Sequence, residues 1–167
     1  LLLSDSSFLG RLFSLPYGTW SIREWQRPYL FLSDGAHWLG IRLRLSGAPD
    51  AMRAEGDYPR RSPDQQNLRA AFVDEHEIRL WTPDQPQKGI WRQSSPIKEV
   101  IWNEDGGVLY VADARSVFAL PLDQGEDIRP TQLGTFDEVF DIAIQDTELY
   151  VVARRGDQRG IFRLPVL

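Results

Sequence analysis

The amino-acid sequence predicts an all-β fold. The expected form is a β-propeller-like array of four-stranded antiparallel blades, about four to five of them partial, within a segment of a longer chain. Three observations predict it. A short apolar run of strand-forming residues recurs five times, each time followed by a polar turn and a second alternating run. Taking Leu3, Leu32, Val73, Val111 and Val151 as equivalent, the spacings are 29, 41, 38 and 40, close to the length of one blade. No stretch of useful length carries the 3.6-residue periodicity of an amphipathic helix.

The elements follow in chain order. Leu1 to Asp5 and Leu9 to Leu15 form the first expected hairpin. Thr19 to Trp25 sets Trp20 and Ile22 against Ser21 and Arg23, the alternation of a half-buried strand. Leu30 to Asp34 and Leu39 to Leu45 form the second hairpin. Ser46 to Gln66 breaks the pattern. It holds Gly47, Pro49, Gly56, Pro59 and Pro63 among charges and reads as a long connection, with one short turn at Pro49 to Ala54. Ala71 to Asp74 with Glu77 to Trp81 is the third hairpin, and Gly89 to Gln93 an outer strand after it. Ile97 to Asn103 is an inner strand leading to the fourth hairpin, Leu109 to Asp113 with Ser116 to Leu122. Thr131 to Phe136 is a second outer strand and Val139 to Gln145 a second inner one. Leu149 to Ala153 with Gly160 to Val166 completes the fifth hairpin. Residues 1–167 read as a single domain.

Composition bounds the function. With 42% hydrophobic residues, six Trp, five Tyr and eight Phe, the chain can pack a core. A net charge of −5 argues against nucleic acid as the main partner, because phosphate binding needs a basic face. The absence of Cys excludes disulfides, thiolate zinc sites and cysteine nucleophiles. No apolar run approaches the roughly 18 residues of a membrane span, so no membrane insertion by this segment is expected. The chain opens at Leu1 on an apolar triplet, without a starting Met or a signal peptide. It is therefore expected to be a piece of a longer protein, and a membrane anchor has room outside it.

Two stretches carry a family resemblance. The run Trp102-Asn103-Glu104-Asp105-Gly106-Gly107-Val108-Leu109-Tyr110-Val111-Ala112-Asp113 resembles the W-S-P-D-G-K-x-I-A-F-V-S-D core of TolB-like (PD-repeat) β-propellers, with Asn103-Glu104 in place of Ser-Pro. Ser62-Pro63-Asp64 followed by Leu68 to Asp74 keeps Ser-Pro-Asp but has Gln65 in place of Gly. Leu15-Pro16-Tyr17-Gly18-Thr19-Trp20-Ser21-Ile22-Arg23 is similar to the L-P-x-G-x-Y-x-V-R stretch of PEGA domains, which would put a sub-boundary near residue 25. The hairpin pattern of Leu1 to Leu15 favours repeats throughout. The resemblance implies a bacterial, envelope-associated protein, periplasmic or exposed outside the cell. It equally implies an alternative, the non-catalytic propeller of a larger serine peptidase or other hydrolase. The turn motif itself has a plain physical reading: Asp105-Gly106 favours a tight turn, because Gly accepts positive φ and Asp bonds nearby backbone.

No residue set amounts to a catalytic, cofactor or metal site. The two histidines, His37 and His76, are too few for a three-histidine zinc site. Asp74-Glu75-His76-Glu77 falls where a hairpin turn belongs, and Asp123 to Asp127 reads as a solvated acidic turn. The acid pair Asp137-Glu138 cannot be assigned to glycoside hydrolysis from sequence. Gly-x-Ser-x-Gly, phosphate-loop and Asp-x-Asp-x-Asp-Gly patterns are absent. Arg155-Gly156-Asp157 spells an integrin-recognition tripeptide, read here as a tight turn at Gly156. Arg154, Arg155 and Arg159 make a small basic patch in an acidic protein, and Trp25, His37 and Trp38 flank turns. These six residues are the expected contact surface. The reading that follows is a non-enzymatic, protein-binding or scaffolding β-propeller module with an unidentified protein partner and no cofactor.

Overall fold

A computed structural model describes residues 21–26, 29–33, 38–42, 50–54, 60–63, 69–82, 85–122 and 128–166. Among the described residues every regular element is a strand, and every strand pairing is antiparallel. The fold is all-β. The chain divides into two compact units, one of Leu1–Gly56 with Pro83–Gln87 and one of Asp57–Thr82 with Lys88–Leu167.

The first unit holds a four-stranded meander of β1 (Ser21–Gln26), β2 (Tyr29–Ser33), β3 (Trp38–Arg42) and β4 (Asp50–Ala54). β1 and β2 are joined by a two-residue connection, and a register shift between Ile22 and Glu24 marks a bulge. β4 corrects the reading of Ser46 to Gln66 as a connection. Asp50 to Ala54 pairs in register with Arg42 to Trp38. Its Ala, Met and Arg residues carry no strand preference of their own, so pairing to β3 decides their conformation. The first expected hairpin, Leu1 to Leu15, lies outside the described residues.

The remaining strands are β5 (Arg60–Arg61), β6 (Ala70–Asp74), β7 (Glu77–Thr82), β8 (Gln85–Arg92), β9 (Glu99–Trp102), β10 (Val108–Ala112), β11 (Ser116–Pro121), β12 (Thr131–Thr135), β13 (Glu138–Gln145), β14 (Glu148–Arg155) and β15 (Gln158–Pro165). They form sheets in the orders β5-β6-β7-β8, β12-β11-β10-β9 and β13-β14-β15.

In the second unit the sheets stack face to face. Strand β10 shows why its sequence is apolar without alternation: all five residues are buried. Leu109 and Val111 point into a cluster with Ala71, Val73, Ile78, Val100, Trp102 and Leu120, shared with β6 and β7. Val108, Tyr110 and Ala112 point the other way, into a cluster with Val117, Ala119, Phe136, Val139, Ile142, Leu149, Val151 and Ala153. A sheet covered on both faces buries both side-chain parities, so its inner strand reads as a continuous hydrophobic run.

The hairpin turns carry the expected chemistry. Gly106 has φ of 74° and Gly156 φ of 59°. In the turn into β10, Asp105 Oδ1 accepts from the Gly107 amide at 2.8 Å, and Asn103 Oδ1 accepts from Val108 at 2.9 Å. The hairpins β6–β7 and β13–β14 instead turn on Glu75 (φ 39°) and Asp146 (φ 53°), non-glycine residues in the left-handed region.

Candidate functional site

Among the described residues, the sheet β13-β14-β15 has one face packed and one open. Strands β14 and β15 alternate along most of their length. Val139, Ile142, Leu149, Val151 and Ala153 are buried, and Phe162 and Leu164 pack against them. On the opposite face Ile161 pairs with Val152, Arg163 with Tyr150 and Arg159 with Arg154. Two side chains on this face are large, apolar and exposed: Ile161 at 71% and Phe140 at 38%.

Phe140 stands out because of a bulge. The register of β13 on β14 shifts between Val139 and Asp141, which leaves Phe140 without an opposite number. An extra residue re-aims the strand, so Val139 and Ile142 stay buried while both Phe140 and Asp141 face outward. Simple alternation along the sequence would have put Phe140 and Ile142 on the same face.

Arginines surround these apolar groups. Arg159 lies over the Phe140 ring with its guanidinium carbon 4.3 Å from the centroid. Arg154 pairs with Glu138 at 3.7 Å. Arg163 pairs with Glu148 at 2.7 Å. The Tyr150 hydroxyl donates to the other oxygen of Glu148. That hydrogen bond holds the Glu148 carboxyl below the usual carboxylate range; burial opposes it, and the Arg163 charge adds to the lowering. The same bond raises the Tyr150 phenol, because losing its proton would set two anions together.

The expected basic patch divides between two faces. Arg154 and Arg159 are cross-strand partners and share the open face. Arg155 is one residue on and points to the other side. There it lies 4.7 Å from the Phe136 centroid and 5.3 Å from that of Phe162, and it donates to the Thr135 carbonyl at 3.2 Å. Arg155 therefore caps the packed face. Trp25 sits in β1 opposite Leu30, and Trp38 opens β3 opposite Ser33 and Ala54. His37 lies outside the described residues. Sequence reading did not single out Phe140, Ile161 or Arg163. The signal available for Ile161 and Arg163 was their shared parity with Arg159 on one strand.

Acidic groups that looked chemical are engaged in structure. Arg79 reaches both Asp74 and Glu77, each at 3.1 Å, and His76 lies 3.7 Å from Glu75 in the β6–β7 turn. Asp137 accepts from the Gly156 amide at 2.5 Å, while its neighbour Glu138 pairs with Arg154. Asp113 Oδ1 accepts from the amides of Arg115 and Ser116, both at 2.7 Å. Among the described residues no three His, Asp or Glu side chains gather as a metal site would require. The acidic turn Asp123 to Asp127 lies outside the described residues.

No protein-family model matches the chain, and no curated protein matches it. Solved structures of Hsv2 from Kluyveromyces lactis are similar to it. One has a TM-score of 0.53 at 12% identity and covers 79% of this chain and 46% of the Hsv2 chain. A second, with a complete loop 6CD, has a TM-score of 0.53 at 12% identity, covering 80% and 45%. A third, of Hsv2p, reaches 0.55 at 12% identity, covering 88% and 50%. Hsv2 is a β-propeller, and identity this low carries the fold alone. The chain spans about half the length of these structures.

These findings correct the TolB-like and PEGA resemblances, neither of which any match supports. The physical reason lies in the motif. Asn103 to Val108 closes a tight turn whose backbone needs positive φ at Gly106, and any hairpin with that requirement selects Asp-Gly. Such a motif reports local geometry and does not separate one β family from another. In the PEGA-like stretch, Ser21 to Arg23 opens a strand of a four-stranded meander.

Proposed function

We propose that the chain is a non-enzymatic protein-binding or scaffolding module of the β-propeller kind, with the open face of β13-β14-β15 as its contact surface. One observation carries the reading. The fourth and fifth hairpins are equivalent, so Val117 of β11 corresponds to Ile161 of β15: Val111 pairs with Phe118, and Val151 with Phe162. Val117 is 0% exposed beneath the next sheet, and Ile161 is 71% exposed. The repeat has therefore kept an apolar residue where a covering layer belongs. An apolar centre rimmed by arginines is the composition favoured at protein interfaces. In a propeller of such sheets, successive blades cover one another in this way. The similarity to Hsv2 supports that architecture at the level of fold. An envelope location has no support beyond the TolB-like and PEGA resemblances, neither of which any match supports.

A photo-crosslinking residue at position 161 tests the proposal. It should capture a discrete polypeptide, while the same group at the exposed position of Gln132 should not. Equal labelling from both positions, or turnover of ester, peptide or glycoside substrates by the pure chain, would overturn it.

A further inference from the structure

We draw no further inference here: the strongest candidate, the surface groove along β9 that Arg60, Pro63, Glu99, Ile101 and Trp102 line, carries nothing, because nothing among the described residues shows what covers it.

Discussion

Replacing Gly106 with Val probes the turn on which the fourth hairpin closes. Gly106 has φ of 74°, where a Cβ meets the following carbonyl. The left-handed conformation costs an ordinary residue roughly 1–2 kcal/mol, and a β-branched side chain sits at the upper end. The site is also buried and tied on several sides. The Gly106 amide donates to the Asn103 carbonyl at 3.1 Å, its carbonyl accepts from Arg69 at 2.7 Å, and the Asn103 amide donates to the Val108 carbonyl at 3.0 Å. Relaxing φ would pull on all of these. Gly106→Ala should therefore cost about 1 kcal/mol and Gly106→Val about 2 kcal/mol or more. Asp105→Asn keeps an acceptor for the Gly107 amide and should stay within about 0.5 kcal/mol of the parent. Asp105→Ala removes that acceptor and should cost about 1 kcal/mol. Urea unfolding followed by Trp fluorescence measures each as a shift of midpoint at constant slope. If Gly106→Val unfolds at the parent midpoint, or if Asp105→Asn costs more than Gly106→Val, the turn assignment is refuted.

Asp113→Ala should destabilise by about 2 kcal/mol, since one carboxylate oxygen serves the amides of both Arg115 and Ser116 from a buried position; a midpoint within error of the parent in the same assay would contradict this. Glu75→Gly should stabilise by about 0.5–1 kcal/mol, because Glu75 holds φ of 39° with an exposed side chain; a lowered midpoint would show that its side chain matters more than its backbone. The Glu148 carboxyl is depressed below its ordinary value of 4.5, mainly by the Tyr150 hydroxyl. Such a group adds stability that is present above the unfolded value and is lost as pH falls through the folded one. Tyr150→Phe should raise the Glu148 midpoint in a carboxyl-detected NMR titration and shrink that acid-side loss; an unmoved midpoint would assign the effect to Arg163 alone.

Where sequence and structure agree, the information is local. The hairpins β2–β3, β6–β7, β10–β11 and β14–β15 fall on the runs that their residues mark, because strand preference and turn chemistry act over a few neighbours. The turn status of Asp74 to Glu77 and of Gly156-Asp157 was legible for the same reason. β4 was not legible, because Asp50 to Ala54 becomes a strand only through pairing with β3. The outward face of Phe140 was not legible, because a bulge depends on how two strands register against each other. The three arginines were found as a cluster in sequence, but adjacent residues of a strand face opposite ways, and that parity sends Arg155 to Phe136 and Phe162.

By itself, then, the sequence determined an all-β chain of repeated hairpins without an evident catalytic constellation. Those properties belong to composition, periodicity and turn residues. Tertiary structure alone decided which repeat is covered and which is open. Val117 and Ile161 are both apolar β-branched residues at equivalent places in equivalent hairpins, and nothing in their local sequence predicts that one is sealed and the other faces water. Burial depends on whether another sheet lies above, which is a contact between segments distant along the chain, where sequence patterns of a few residues carry no information.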